Sequence, residues 1–367
     1  MAAWRSANVL VALLVVAAAW IHPGVFTVEG NNAASSPFPA IILLGDSTID
    51  VGTNNDLITV IKSDFPPYGR DLTMQLPKGR FCNGLLVTDY LAQDLGFPYQ
   101  IPYLQRAGQE QKLLTGVNFA SSGSGWVNLT ADTYNVISFA KQVDQFKDYK
   151  KELISMVGQT QADNIISNAL YVISTGTNDY VLSYYVNPLV QKKYSIPAYQ
   201  QLIRDTATVY LQDLYNEGAR NFALASLPPL GCLPAVISIY GNKGLGPEGC
   251  VAPLNEVARA GNDVFRHVFM PKLERQLVGS KLVYLDVYTV LFELAANPRA
   301  FGYKEARKSC CGTGLVEVAI LCNPASFGTC DDSNEYVFFD SFHPTTRTYK
   351  LVYDEFVWPV VKAAFNF

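Results

Sequence analysis

Short runs of branched apolar residues, each closed by a polar or glycine-containing turn, alternate along the chain with longer segments of helical period. Ala40–Leu44, Gly116–Ala120, Leu170–Ser174, Phe222–Ala225 and Lys281–Asp286 read as strands. Between them, Leu85–Leu95, Ser138–Val157, Ala198–Glu217 and Leu254–Leu277 read as helices. In the last of these, Leu254, Val257, Ala258, Gly261, Val264, Phe265 and Val268 recur at the spacing of one helical face. A final helix is predicted to start at Pro344, because a proline loses nothing at a first helical position whose N–H has no partner. That placement leaves His343 in the loop just before it. Alternating strands and helices predict an α/β fold, a parallel sheet covered on both faces, with functional groups gathered beyond the strands' carboxyl ends.

The first strand runs out into "IILLGDSTID", where Gly45 permits a sharp turn and Asp46 and Ser47 follow at once. A capped turn would account for an aspartate and a serine there. A nucleophile would require a base, an orienting acid and oxyanion donors elsewhere. Histidine is scarce enough to search by hand, since the chain has only three. His22 lies in the amino-terminal segment and His267 beside the apolar stripe of a helix. His343 stands in "FFDSFHP", three residues after Asp340, so one loop can supply both an imidazole and the carboxylate that holds its other nitrogen. Two further strand ends offer donors: "VNFASSGSGW" with Gly123 and Gly125, and "YVISTGTNDY" with Gly176 and Asn178. No GxSxG elbow occurs, which argues against the α/β-hydrolase route to a serine esterase.

Composition narrows the choices further. Charged residues are 16% of the 367 and the net charge is −4, so there is no basic excess for nucleic acid. Neither a Gly-rich phosphate loop nor HExxH is present, and no cofactor or metal is implied. Arg5, the apolar run Val9–Trp20 and the small residues Ala17–Ala19 form a secretory signal pattern, with cleavage expected between residues 20 and 36. That run is too short for a bilayer span of about 20 residues, so no transmembrane anchor is expected. Residues 37–367 then form one domain. Of seven cysteines, six (Cys232, Cys250, Cys310, Cys311, Cys322 and Cys330) lie after residue 230, which in an exported chain reads as a disulfide-stapled region of open connectivity. Four thiolates around zinc are the competing reading, at a spacing that fits no common CxxC pair. Cys82 is left over as a free thiol. Asn128-Leu129-Thr130 is a glycosylation acceptor, expected on a surface loop.

Taken together, these segments resemble the secreted plant branch of the GDSL esterase/lipase family, within the SGNH hydrolase superfamily. "LLGDSTIDVGTNND", "GVNFASSGSG", "STGTNDY" and "FFDSFHPT" look like four of the family's blocks in order, and the resemblance runs from about Pro37 to Val361. "PPYGRDLTMQLPKGRFCNG", "LPPLGCLPA" and "SCCGTG" look like recurrent segments of the same branch. The resemblance implies a three-layer α/β/α sandwich, flavodoxin-like, with a central five-stranded parallel sheet. It also implies metal-free hydrolysis of carboxylic esters, with Ser47 as nucleophile, His343 as base, Asp340 as orienter, and Gly123, Asn178 and the Ser47 N–H as the oxyanion hole. Thr53, Ser122 and Cys82 depart from the pattern, where asparagine, glycine and serine are commoner. Ser122 bears on the flexibility of the oxyanion loop. The expected partner is an ester of a lipid, an acylated polysaccharide or a phenol, met outside the cell in the apoplast or wall. Acyl transfer at the same site and a secreted binding glycoprotein are the alternatives, and the oligomeric state is open.

Overall fold

The computed structural model describes residues 36–73 and 78–367. The predicted amino-terminal signal lies outside the described residues. Five strands, β1 (Ile41–Gly45), β2 (Gly116–Asn118), β3 (Leu170–Ser174), β4 (Asn221–Ala225) and β5 (Lys281–Leu285), form one sheet in the order β2-β1-β3-β4-β5. Every pairing is parallel. This is the flavodoxin-type order, whose switch point falls where β1 lies between β2 and β3. The predicted three-layer α/β/α sandwich with a five-stranded parallel sheet is therefore the fold that forms.

The strands read as unbroken apolar runs because both faces are covered. Ile41, Ile42, Leu43 and Leu44 are all buried. On one face, helix Phe139–Val157 sets Phe146 against Tyr171 of β3, with ring centroids 5.6 Å apart. On the other, helix Trp358–Phe365 packs over β5. Two glycines allow the strands to approach. A Cβ on Gly116 would fall 1.9 Å from the Ile41 carbonyl oxygen, and one on Gly45 would fall 2.0 Å from that of Ser174. Their φ angles, +117° and +150°, lie where side chains are disfavoured.

Several boundaries differ from the sequence reading. The final helix starts at Thr346, not Pro344: Thr345 is its N-cap, its hydroxyl accepting the Thr348 N–H, while Pro344 is extended and bridges to Phe338. A side-chain acceptor for an orphan N–H outweighs proline's preference for the first turn. The stretch Leu254–Leu277 is helical but interrupted, running as Ala252–Val264, a wider π-type turn at Phe265–Phe269, then Met270–Gln276. Pro271 has no N–H to keep the ladder regular, and the Met270 N–H reaches back to Phe265. Asn128, expected in a loop, is the exposed first residue of helix Asn128–Tyr134. Its short length hid that helix from periodicity.

All six carboxyl-terminal cysteines are paired, as Cys232–Cys250, Cys310–Cys330 and Cys311–Cys322, whereas Cys82 is free and buried. None of the six is left as a thiolate for zinc. Among the described residues no helix is long and apolar enough to cross a membrane.

Substituting Gly45→Ala should destabilise the fold by about 3 kcal/mol or more, since backbone rather than a flexible side chain blocks the new methyl. Urea unfolding of the purified variant measures this. A change below 1 kcal/mol (about the effect of a neutral surface substitution) would contradict the packing described.

Candidate active site

Three adjacent strands, β1, β2 and β3, release their loops on the same edge of the sheet. The β1 loop turns at once, the Asp46 N–H donating to the Ser174 carbonyl at 3.0 Å and the Asp50 N–H to the Asp46 carbonyl at 3.0 Å. Inside this turn the Asp46 carboxylate accepts the Thr48 N–H at 3.0 Å and its hydroxyl at 2.8 Å. Ser47 sits at the apex of the turn, above β1 and β3. Burial pushes the Asp46 carboxyl up to about 6, against the lowering effect of its two Thr48 donors.

The segment Phe338–His343 arrives from the opposite end of the chain. His343 Nε2 lies 2.7 Å from Ser47 Oγ, and His343 Nδ1 lies 2.7 and 2.8 Å from the two Asp340 oxygens. Asp340 Oδ1 also accepts the N–H groups of Phe342 at 2.9 Å and His343 at 2.8 Å, which closes the Asp-x-x-His turn. With Asp340 ionised, Nδ1 must donate, so Nε2 is the nitrogen free to accept the serine proton. The Phe81 ring lies 4.9 Å from the imidazole, centroid to centroid. Asp340 is fully buried and Ser47 and His343 nearly so.

No local pattern along the chain marks Tyr68. Its hydroxyl donates to Asp340 Oδ2 at 2.8 Å and accepts the Ala319 N–H at 2.9 Å. Burial and the neighbouring carboxylate hold its phenol well above the usual value, so it stays protonated. Tyr68 belongs to "PPYGRDLTMQLPKGRFCNG", but nothing in one dimension pairs residue 68 with residue 340.

The remaining loops converge on the same place. Gly123, with φ +85°, lines the cavity beside Ser47. Asn178 gives one amide hydrogen to the Ser124 carbonyl at 2.9 Å, and its residue lines the same cavity. Two buried carboxylates fasten these loops. Asp50 accepts the Ser122 N–H at 2.9 Å and its hydroxyl at 2.7 Å. Ser122 therefore ties the loop down instead of loosening it. Asp179 accepts the N–H groups of Trp126 at 2.8 Å and Val127 at 3.1 Å, and the Thr130 hydroxyl at 2.6 Å. Burial raises both carboxyls, Asp179 to about 7. Gly125 makes room for Asp179, because a Cβ there would lie 2.3 Å from its Oδ1.

Ser47, Asp340, His343, Gly123 and Asn178 are thus brought together, 296 residues separating the serine from the histidine. His267 is exposed on the π-type turn and Cys82 is sealed away, burial pushing its thiol up. Among the described residues no three His, Cys, Asp or Glu side chains are grouped to hold a metal ion. Chemically, the arrangement can deliver a serine alkoxide to a carbonyl and surround the oxygen that becomes negative.

Comparison with known proteins gives the same direction. Residues 41–356 match the family model for GDSL-like lipase/acylhydrolases. The chain is 44% identical over 321 residues to the Arabidopsis thaliana protein GDSL esterase/lipase At5g22810, spanning 86% of this chain and 87% of that one. It is 41% identical over 324 residues to GDSL esterase/lipase At5g03810 of the same plant, spanning 88% and 91%. With GDSL esterase/lipase APG the identity is 44% over 309 residues, spanning 84% and 86%.

Tyr68→Phe should keep the fold but leave one Asp340 oxygen short of a donor, costing about 1–3 kcal/mol of stability. The phenol hydrogen partly neutralises the carboxylate. Its loss favours the imidazolium, so the acid limb of kcat/KM for ester hydrolysis should move to higher pH. A purely structural tyrosine would lower the melting temperature and leave that limb in place.

Proposed function

The chain belongs to the GDSL-like lipase/acylhydrolase family and is a carboxylic ester hydrolase; on that premise we propose that it works through Ser47, His343 and Asp340 by way of an acyl-enzyme. The observation that carries the reading is the 2.7 Å contact between Ser47 Oγ and His343 Nε2, with Asp340 on the other ring nitrogen. A serine hydroxyl is a weak nucleophile until a base removes its proton at the moment of attack.

In the first half-reaction His343 Nε2 takes the Ser47 proton as Oγ bonds to the ester carbonyl carbon. The carbonyl electron pair moves onto oxygen, which meets the N–H groups of Ser47 and Gly123 and the second amide hydrogen of Asn178. Asp340 stabilises the imidazolium. Collapse of the intermediate breaks the bond to the alcohol oxygen, which leaves with the proton from His343. Water then attacks the acyl-enzyme, gives a proton to His343, and the acid departs as that proton returns to Ser47 Oγ.

Residues 37–367 are proposed to be the mature domain, secreted after loss of the leader. Three disulfides, which persist in oxidising compartments, support that reading, as does the exposed acceptor Asn128. A shift in gel mobility on glycosidase treatment of the secreted protein, absent in Asn128→Gln, tests the modification.

The decisive test of mechanism is Ser47→Ala, which should lose ester hydrolysis and fluorophosphonate labelling while remaining folded. Asn178→Ala is more discriminating. A donor that acts only as charge develops lowers kcat far more than it raises KM. The expected loss is about 10²–10³ in kcat, with slow labelling of Ser47 retained. A near-normal kcat with a lowered melting temperature would make Asn178 a turn residue only.

A further inference from the structure

Alternate side chains of a strand point to opposite faces of the sheet, and the two faces here are filled differently. Beneath helix Phe139–Val157, Tyr171 and Phe222 stand side by side, ring centroids 5.4 Å apart, and fill their layer. On the opposite face the same strands present Val172 beside Ala223, then Ala225 beside Leu285. The carboxyl-terminal helix Trp358–Phe365, with the π-type turn Tyr353–Val357 that leads into it, covers this face with Val361 and Val357. The two alanines facing Val357 and Val361 leave space that a packed interior does not normally tolerate. These six residues are among those that line a cavity of about 150 Å³, which also takes in Ser47, Asn178 and His343.

We propose that this cavity holds the acyl chain of the substrate, an unbranched medium-chain tail lying along β3 and β4 under the carboxyl-terminal helix. Apolar voids of about this size accept a benzene ring, which sets the tail at roughly six to eight carbons. Only the acyl half fits such a place. The alcohol must leave before water attacks, whereas the acyl half stays bonded to Ser47 through both half-reactions. A recess closed by Val357 and Val361, both buried, suits the half that stays. The inference rests on Ser47 being the nucleophile, and the test separates the two claims.

Hydrolysis of p-nitrophenyl esters from acetyl to hexadecanoyl is the first measurement. Each methylene that enters the cavity contributes about fourfold, so kcat/KM should rise on the order of 10²-fold from acetyl to hexanoyl. It should peak at hexanoyl or octanoyl and fall by dodecanoyl. A maximum at acetyl, or a steady rise to hexadecanoyl, overturns the proposal. Ala223→Leu fills the void and should lower the octanoyl-to-acetyl ratio of kcat/KM at least tenfold, with no fall in melting temperature. If that variant does not fold, Val357→Leu on the facing helix must shift the ratio the same way. An unchanged ratio in a folded variant overturns the assignment. Calorimetry with octanoate and Ser47→Ala distinguishes the two claims. Binding that Ala223→Leu abolishes supports the channel even if Ser47→Ala stays active, an outcome that would sink the nucleophile reading alone. No octanoate binding to Ser47→Ala removes the channel and leaves the nucleophile.

Discussion

Four buried carboxylates, none paired with a lysine or arginine among the described residues, hold this site in shape. Asp46, Asp50, Asp179 and Asp340 are almost entirely removed from water. An isolated charge in such a place would cost many kcal/mol, so each must be surrounded by donors. The donors are backbone N–H groups, hydroxyls and one imidazole of the segments that meet at the site: Thr48 for Asp46, Ser122 for Asp50, Trp126, Val127 and Thr130 for Asp179, and Tyr68 and His343 for Asp340. A loop that moved would leave its carboxylate bare. That penalty holds Gly123, Asn178 and the His343 imidazole in place before any substrate arrives, as the roles proposed for them require.

The disulfide region belongs to the same scheme. Cys310 and Cys311 donate their N–H groups to the carbonyls of Phe338 and Phe339, immediately before Asp340. The Ser341 N–H donates to the Glu317 carbonyl, and Ala319 supports Tyr68. Two of the three cross-links, Cys310–Cys330 and Cys311–Cys322, therefore brace the very segment that presents Asp340 and His343. That segment is irregular and could not be held by a strand ladder or a helix of its own. Cross-links and side-chain bonds take the place of secondary structure there.

The sheet contributes by asymmetry as well as by position. Its parallel order aligns three strand ends at one edge, so loops distant in the chain meet above β1 and β3. On one face Phe146, Tyr171 and Phe222 pack ring against ring. On the opposite face Ala223 and Ala225 leave room in a cavity that reaches Ser47. Packing quality is thus traded for space on the side that opens to Ser47 and His343.

By itself the sequence determined the architecture and marked the residues proposed to react. Strand and helix periods differ enough to be separated by eye, and alternation leaves a parallel sheet as the economical arrangement. Three histidines in 367 residues, one of them beside an aspartate in a turn, made the imidazole easy to find. Local chemistry also carried the glycine and asparagine at the ends of β2 and β3. The tertiary structure alone decided what those groups rest on. Tyr68 meets Asp340 across 272 positions, and Asp179 reaches back to the loop after β2, pairings that leave no local pattern because they depend on which strand ends become neighbours. Cysteine pairing and the void that reaches Ser47 were hidden for the same reason. Each is a relation between distant residues, set by the register of the sheet and the helix laid over it, and no run of adjacent residues records it.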